Sequence, residues 1–339
     1  MSVVSFAWLL ATTFYLGATE QPIIATWHLA TNHYSLDFEL KILGSASATP
    51  VLGRHPTAQV LTAGPAQYLL DCGEGTQWRL LENRVRHQRL RAVFISHLHG
   101  DHVFGLFGLL GTMHLAGRTE PLCLLGPPGL DELLTMQFRS STTQLQFDLR
   151  YTRVDTGVHA VVYEDAQVRV WSLPHQHRIP CAGYLFEERP RRANLLKDRL
   201  PAGLSASQLA QLAQGEDVLD ETQQTLLVRH ADVAGPAPTP RRYAFCSDTR
   251  FLPWLADLVR GADLLYHEAT FLDESRERAA QTYHSTARQA AELAQAAAVK
   301  QLLIGHFSSR YKTLEPLLAE ARAVFERTDL ALEGLTISL

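Results

Sequence analysis

The chain has 339 residues, of which 46% are hydrophobic and 19% are charged. This balance is typical of a globular protein and excludes a mainly disordered chain, because ample apolar surface is available for burial. The 31 Lys and Arg residues against 35 Asp and Glu residues give a formal net charge of −4. That charge excludes a protein whose whole surface is basic and binds nucleic acid. A polyanionic partner would therefore have to bind where positive charge is concentrated locally.

The N-terminal segment is largely apolar and contains no Lys or Arg before residue 36. A signal peptide would need a positively charged start, and Gly17 and Glu20 interrupt the run that a membrane span would require. We interpret residues 1–35 as an extension outside the fold, with a weak export signal as the alternative, and we expect no membrane association. The folded domain is predicted to occupy residues 36–339.

The first predicted elements begin near Phe38. Short alternating or continuous apolar runs predict strands at 38–43, 60–62, 68–71 and 92–96. Helices are predicted at 75–90 and 103–116.

Further strand-like runs occur at 122–125, 168–173, 243–246, 263–267 and 302–305, and the clearest later helix is predicted at 285–298. This alternation indicates a layered α/β fold. Residues 187–240 differ, because they start with a basic stretch and end in a Pro-rich run without strong strand signals. They are predicted to be an insertion of short helices.

Four cysteines lie far apart and form no CxxC pair, which argues against a cysteine zinc cluster or a disulfide scaffold. We therefore expect reduced thiols and a cytoplasmic location. The 15 histidines are more informative, because several of them are grouped.

The segment Ser96–His102 directly follows a predicted buried strand and contains His97, His99, Asp101 and His102. A strand end followed by a small-residue loop can direct several side chains to one point. Imidazole and carboxylate are ligands for divalent cations such as zinc. This HxHxDH pattern predicts a metal site, with room for two ions if other strand ends supply ligands.

Candidates for those further ligands follow other predicted strands. His175 and His177 follow one strand, Asp248 follows a second and His306 follows a third. Open α/β sheets tend to place their sites at such strand ends. Together these residues fit two ions that share a bridging carboxylate, although the choice between His175 and His177 stays open from the residues alone.

The complete pattern resembles the metallo-β-lactamase superfamily, and within it the ribonuclease Z family. The segments that carry the resemblance are LGSASATP (43–50), DCGEGTQWRLL (71–81), SHLHGDHVFGLFGLL (96–110), HRIPCAGY (177–184), CSDTR (246–250), HEAT (267–270), YHST (283–286) and IGHFSSRY (304–311). The resemblance implies an αββα four-layer sandwich with an inserted flexible arm at about 187–240. It also implies a zinc-dependent endoribonuclease that removes the 3′ trailer from precursor tRNA and leaves a 3′-hydroxyl on the tRNA.

The resemblance also implies roles for individual residues. The family's ligand precedes a Gly-Tyr pair, which selects His177 over His175. Two Zn²⁺ ions per subunit are implied, with Mn²⁺ or Fe²⁺ possible because the ligand types suit all three. One ion takes His97, His99 and His177, the other takes Asp101, His102 and His306, and Asp248 bridges them. Asp101 is the implied proton acceptor, His284 the general acid and Glu268 its partner, whereas His267 is expected to be structural.

The resemblance further implies a homodimer and a tRNA-binding role for the arm. The candidate RNA-binding residues are Arg54, Arg189, Arg191, Arg192, Lys197 and Arg199. Such a basic cluster can neutralise several phosphates and would make affinity salt-dependent. A solvated helix face is the alternative interpretation of the cluster.

Two other functions remain compatible with a metal centre of this kind. One is another dinuclear hydrolase of the same fold, such as a general phosphodiesterase, a lactonase or a thioesterase. The other is a non-catalytic, metal-dependent RNA-binding protein. The HEAT and YHST segments favour the nuclease over both. The residues that replace the family's loop for sensing the tRNA 3′ end, Pro50 to His55, leave the response to an encoded CCA end open.

Overall fold

The computed structural model describes residues 38–220 and 225–339. The elements of the N-terminal half are β1 (Phe38–Gly44), β2 (Ala58–Ala63), β3 (Ala66–Leu70), α1 (Thr76–Glu82), β4 (Leu90–Phe94), α2 (Gly100–Val103), α3 (Gly105–Leu115), β5 (Leu122–Gly126), α4 (Leu130–Ser140) and β6 (Leu149–Arg153). The elements of the C-terminal half are β7 (Val161–Glu164), β8 (Val168–Pro174), β9 (Ala182–Glu188), α5 (Ala206–Ala213), β10 (Val218–Leu219), β11 (Leu226–Val228), α6 (His230–Val233), β12 (Arg242–Cys246), α7 (Leu255–Leu258), β13 (Leu264–Glu268), α8 (Arg276–Thr282), α9 (Ala287–Ala296), β14 (Leu302–Gly305), α10 (Glu315–Arg322), β15 (Thr328–Leu330) and β16 (Thr336–Ser338).

Two seven-stranded sheets form the centre of the described part of the chain. Their strand orders are β16-β1-β2-β3-β4-β5-β6 and β15-β14-β13-β12-β9-β8-β7. The β3-β4-β5-β6 and β12-β13-β14-β15 runs are parallel, so their carboxyl ends share one edge of each sheet.

Three apolar layers hold these sheets and their helices together. The middle layer packs one sheet on the other, with Phe94 of β4 against Tyr184 and Phe186 of β9. A second layer packs α1, α3 and α4 on the first sheet, and a third packs α7, α9 and α10 on the other sheet. The result is a four-layer αββα sandwich, which confirms the predicted architecture.

Strand β4 illustrates why a short apolar sequence run forms a central strand. Phe94 faces the layer between the sheets, whereas Val93 faces the layer beneath the helices, and both side chains are fully buried. A strand that is covered on both faces needs apolar residues at successive positions rather than alternating ones. The polar loop that begins at Ser96 therefore starts at the edge of a rigid strand.

The predicted helix at 75–90 is wrong over its second half. Helix α1 ends at Glu82, and Arg84 adopts a left-handed backbone with φ of 56°. Such a conformation cannot continue a right-handed helix, and the chain then passes through a single 3₁₀ turn, His87–Arg89, into β4. The predicted helix at 285–298 is confirmed as α9, which starts with a capping box formed by Thr286 and Gln289.

The segment between β9 and β12 contains α5, the short β10–β11 hairpin and α6. Its helices were expected, but the hairpin was not. A small cluster of Leu212, Val218, Val228 and Val233 is buried inside the segment. The chain leaves and re-enters the second sheet at adjacent positions, because Glu187 of β9 pairs with Arg242 of β12.

The predicted extension at residues 1–35 lies outside the described residues. Over the described ranges, no helix is both long enough and apolar enough to cross a membrane.

Candidate metal centre

The predicted metal ligands converge at the strand ends of both sheets. His97 to His102 follow β4, Asp248 follows β12 and His306 follows β14. His177 lies in the loop between β8 and β9. The fold therefore brings together residues that are more than 200 positions apart in the sequence.

The first group consists of His97, His99 and His177. His99 Nδ1 lies 3.1 Å from His97 Nε2 and 3.2 Å from His177 Nε2. The second oxygen of Asp248, Oδ2, lies 3.7 Å from His97 Nε2 and 3.9 Å from His177 Nε2. These four residues present one potential ligand atom each to a common point.

The second group consists of Asp101, His102 and His306. The distances between Asp101 Oδ2, His102 Nε2 and His306 Nε2 are 3.3, 3.3 and 3.4 Å, which makes the three atoms a nearly equilateral triangle. Asp248 Oδ1 lies 3.5 Å from the nitrogen of His102 and 3.2 Å from that of His306. Asp248 thus directs one oxygen to each group.

The spacing of these atoms fits tetrahedral metal coordination. Zinc–nitrogen bonds of about 2.0–2.1 Å require ligand atoms about 3.3 Å apart, close to the 3.1–3.5 Å that separates most of the pairs above. Asp248 Oδ1 is also buried without a hydrogen-bond partner in the described structure. A buried carboxylate oxygen without a donor is costly unless a cation balances it.

The electrostatics of the two groups point the same way. Burial lowers the pKa of His97, His99 and His177, which favours neutral imidazoles with a free lone pair. Burial would also lower the pKa of His102, but Asp101 and other nearby carboxylates raise it well above its usual value. The space between His102 and these carboxylates therefore attracts positive charge, as a metal ion would supply.

Asp71 is a supporting residue that the sequence argument did not identify as part of the site. It is fully buried, and its Oδ2 lies 2.7 Å from His102 Nδ1 and 2.9 Å from Ser96 Oγ. A carboxylate that accepts a hydrogen bond from one ring nitrogen leaves the other nitrogen available for a metal. The signal in the sequence was that Asp71 ends an apolar run, just as the other site residues follow theirs.

Glu268 and His284 form a close pair beside the metal groups. His284 Nδ1 lies 2.9 Å from Glu268 Oε1. Burial alone would lower the pKa of His284, but the charge of Glu268 and its hydrogen bond raise it to about 9. His284 is also near Asp248, at 3.9 Å, so metal coordination by His284 is the geometric alternative to a proton-donating role.

Four donor groups hold the Glu268 carboxylate in place. Besides His284, its carboxylate accepts hydrogen bonds from Thr249 N at 3.1 Å, Thr270 N at 3.1 Å and Thr270 Oγ1 at 2.6 Å. Thr270 Oγ1 also lies 2.9 Å from His306 Nδ1. Thr270 therefore links a candidate metal ligand to the Glu268–His284 pair.

The two remaining histidines near the site are not part of either group. His175 is buried, and its Nδ1 lies 4.0 Å from Cys181 Sγ. His267 is fully buried, with its Nδ1 2.7 Å from the carbonyl oxygen of Glu268.

The structure divides the six candidate RNA-binding residues into two sets. Arg54 donates to the carbonyl of Tyr311 at 2.8 Å, and Arg189 and Arg191 pair with the side chains of Glu164 and Glu188. The side chains with neither a hydrogen bond nor an ion pair among the described residues are those of Arg192, Lys197 and Arg199. Half of the predicted set is therefore already occupied within the protein.

The candidate centre lies at the bottom of a cleft. Small and polar residues of the loop after β1, including Ser47 and Thr49, form part of its wall. The cleft is also lined by Arg178, Arg278 and Arg310, none of which the sequence argument singled out.

Comparisons with known proteins agree with this arrangement. The chain is 48% identical over 300 residues to the Ribonuclease Z of Cytophaga hutchinsonii, which covers 88% of this chain and 95% of that protein. It is 42% identical over 303 residues to the Ribonuclease Z of Porphyromonas gingivalis, covering 89% of this chain and 99% of that protein. The profile of a family described as Anti-Pycsar protein Apyc1 matches residues 38–189.

Solved structures show the same fold. The short form of human tRNase Z superposes with a TM-score of 0.64 at 26% identity, covering 88% of this chain and 98% of that one. A metallo-β-lactamase fold protein of Bacillus subtilis superposes with a TM-score of 0.63 at 16% identity, covering 89% of this chain and all of that one.

The four-layer sandwich and the histidine–aspartate groups at its strand ends define a protein of the metallo-β-lactamase fold with a candidate metal centre. Within that class, the curated relatives above share more than 40% of their residues with this chain over nearly their whole length. The chain belongs to the ribonuclease Z family.

Proposed function

We propose that this protein is a metal-dependent endoribonuclease that removes the 3′ trailer from precursor tRNA and leaves a 3′-hydroxyl on the tRNA. The observation that carries the proposal is the Glu268–His284 pair, 2.9 Å apart, at the edge of two groups of metal-ligating atoms. Hydrolysis of a phosphodiester with a poor alkoxide leaving group needs a proton donor at this place. The name Ribonuclease Z of the curated relatives supports cleavage of RNA, and the name tRNase Z of the human structure supports a tRNA substrate.

The metal ligands proposed for two Zn²⁺ ions are the residues of the two groups. His97, His99 and His177 would hold one ion, Asp101, His102 and His306 would hold the other, and Asp248 would be shared. When bound, such ions supply a water of lowered pKa and neutralise charge on the phosphate. Mn²⁺ or Fe²⁺ would fit the same donor types.

The protein's own residues account for the proton movements. Asp101 accepts a proton from the attacking water as the water oxygen forms a bond to the phosphorus atom. The bond between phosphorus and O3′ breaks, and His284 donates a proton to that O3′. The tRNA then ends in a hydroxyl group, and the phosphate stays on the 5′ end of the trailer.

Glu268 keeps His284 protonated and correctly oriented. Its four hydrogen-bond partners are all donors, so the carboxylate cannot rotate without losing several of them. A buried carboxylate that is fixed in this way raises the pKa of the imidazole beside it and defines which face of the ring points at the cleft.

The segment 187–240 is proposed as the arm that holds the tRNA away from the cut. Arg192, Lys197 and Arg199 offer positive charge that no described acidic side chain neutralises. Such charges can neutralise phosphates and release counterions. We further propose a homodimer in the cytoplasm, in keeping with the family resemblance.

The test of the function compares substrates. Purified, metal-loaded protein is incubated with a 3′-extended precursor tRNA, with the mature tRNA and with bis(p-nitrophenyl) phosphate. We expect the highest kcat/KM for the precursor and no cleavage after metal removal. Efficient hydrolysis of the small diester without cleavage of the precursor would favour a general phosphodiesterase, whereas binding of the precursor without any cleavage would favour a non-catalytic RNA-binding protein.

A further inference from the structure

Four arginines line the cleft of the candidate centre or the pocket beside it, and each is close in sequence to a residue of the site. Arg178 follows His177, Arg250 is two residues after Asp248, Arg278 is six residues before His284, and Arg310 is four residues after His306. Guanidinium groups suit bidentate recognition of phosphate. The partners of each arginine show which of them are available to a substrate.

Two of the four arginines are engaged within the protein. The Arg250 guanidinium stacks on Tyr283, 4.3 Å from the ring centroid, and donates to the carbonyl of Ala280 at 3.0 Å. The Arg310 guanidinium lies over Phe271, 4.8 Å from the ring centroid, and its Nε is 3.3 Å from Ser308 Oγ. These contacts assign Arg250, and in part Arg310, to holding the walls of the cleft.

The other two arginines differ in this respect. Arg178 and Arg278 are exposed, line the cleft and have no hydrogen-bond or ion-pair partner for their guanidinium groups in residues 38–220 and 225–339. The only acidic side chains along the described cleft wall belong to Asp101 and Asp248, which face the candidate metals. Two unneutralised cations thus line the cleft in which the scissile phosphate would bind.

Nearby surface arginines pair with acidic side chains, whereas Arg278 does not in the described part of the chain, and this contrast supports a role for Arg278 in binding substrate. On the same helix as Arg278, Arg276 pairs with Asp273 at 2.9 Å, and Arg288 of α9 lies 3.5 Å from the same carboxylate. Acidic partners are therefore available around α8, but the arginine that faces the cleft has none of them.

We propose that Arg178 and Arg278 bind the two phosphates on either side of the scissile one, with Arg278 on the phosphate 5′ to the cut. This inference rests on the proposed function, and it adds residues that position the RNA strand. A clamp on both neighbouring phosphates would fix the strand in register, so it would help to select which phosphodiester is cut.

The polarity follows from the chemistry of the cut. His284 protonates O3′, which belongs to the nucleotide on the 5′ side of the broken bond. Arg278 lies in α8, whose end leads directly into His284, and the backbone N–H of His284 donates to the carbonyl of Ala279 at 2.8 Å. We therefore assign Arg278 to the leaving-group side of the cleft, where it would meet the nucleotide that becomes the tRNA 3′ end. Arg178, on the loop of His177, is left for the 3′ side.

Substrates with single neutral linkages test this assignment. Three precursor tRNAs are compared: one unmodified, one with a methylphosphonate at the linkage 5′ to the cut, and one with it at the linkage 3′ to the cut. The enzymes are the wild type, Arg178→Gln, Arg278→Gln and the control Arg139→Gln, an exposed arginine of α4 without an ion-pair partner in the described chain. The readout is kcat/KM with the position of the cut.

We expect Arg278→Gln to lower kcat/KM on the unmodified substrate about 10-fold, as the loss of one charge-assisted contact would. The neutral 5′ linkage should remove this difference from the wild type, and the neutral 3′ linkage should leave it. Arg178→Gln should show the opposite pattern, and Arg139→Gln should match the wild type throughout. Either arginine variant behaving like Arg139→Gln, or a penalty that ignores both modifications, would overturn the proposal.

A binding measurement separates this inference from the proposed function. Affinity for the unmodified precursor is measured against salt concentration in a His284→Ala background, where turnover is slow. The slope of log K against log salt should fall by about 0.7 for each arginine replaced, as expected for contacts with a single strand. An unchanged slope contradicts the clamp whether or not the wild type cuts the precursor, whereas a reduced slope with no cutting by the wild type leaves the clamp and removes the proposed reaction.

Discussion

Glu268→Gln should move the pH dependence of the reaction in a direction that the structure fixes. The pKa of His284 is raised from 6.5 to about 9 by the adjacent Glu268 carboxylate, against the effect of burial. One pKa unit corresponds to about 1.36 kcal/mol, so the raised pKa represents about 3 kcal/mol in favour of the protonated ring. Glutamine removes the charge that supplies most of this stabilisation.

The sign follows from the role of His284 as a proton donor. The protonated ring is present below its pKa, so activity is lost as the pH rises through that value. In Glu268→Gln the loss should begin at a lower pH than in the wild type, by about 1–3 pH units, the usual effect of an adjacent opposite charge. The measurement is kcat/KM on a 3′-extended precursor tRNA across the alkaline range.

The control for this experiment is Asp165→Asn. Asp165 also accepts four hydrogen bonds, from the hydroxyls of Tyr68 and Tyr163 and the backbone N–H groups of Gln167 and Val168, but none comes from an imidazole. In both variants an amide NH₂ replaces a carboxylate oxygen and faces N–H or O–H donors that it cannot accept from. Both variants should therefore lower the midpoint temperature of thermal unfolding. Only Glu268→Gln should shift the pH profile, and an alkaline limb at the same pH in Glu268→Gln and wild type would show that Glu268 does not raise the pKa of a proton-donating His284.

Three further outcomes are expected. His284→Ala should keep its metal, measured by elemental analysis, while turnover falls about 10²–10⁴-fold; loss of metal would instead make His284 a ligand. Asp71→Asn should weaken metal affinity about 10–100-fold in a chelator competition assay, because a neutral amide replaces the buried carboxylate that accepts from His102, whereas an affinity equal to that of Asp165→Asn would make Asp71 a purely structural residue. The double variant Lys197→Gln/Arg199→Gln should bind precursor tRNA with a shallower salt dependence, and an unaltered slope would argue against contacts between this part of the arm and the RNA.

The sequence contained enough information to predict the class of fold and the residues that meet at the site. Buried strands such as β4 are short continuous apolar runs, and polar residues that follow such runs lie at one edge of a sheet. That rule, applied to His97, Asp248 and His306, predicts that their side chains lie together. The distances between their ligand atoms required the fold.

Other features depend on contacts that no local pattern encodes. The helix predicted at 75–90 ends early, because Arg84 adopts a left-handed backbone conformation. An arginine in the sequence gives no indication of such a conformation. The sequence predicts Asp71 as the last residue of a strand. In the structure, its carboxylate forms a hydrogen bond with His102. The β10–β11 hairpin has only five residues in its strands, too few to show an alternating pattern.

The charge around the cleft was the feature that was hardest to predict from the sequence. Arg189 and Arg191 look like part of a basic cluster in the sequence, but each pairs with a glutamate in the folded chain. No motif or charge cluster in the sequence marks Arg178 and Arg278. The fold places them in the wall of the cleft of the candidate centre, without acidic partners among the described residues. Net charge over a segment therefore says little about which cations a nucleic acid can reach.

Mapping of the cut on a 3′-extended precursor tRNA tests whether this protein removes the 3′ trailer. The metal-loaded protein is incubated with the precursor, and both products are sequenced and their ends analysed by mass spectrometry. We expect one cut near the discriminator base, with a 3′-hydroxyl on the tRNA and a 5′-phosphate on the trailer. A 3′-phosphate on the tRNA, or no cut there with the metal site fully loaded, would contradict the proposed function.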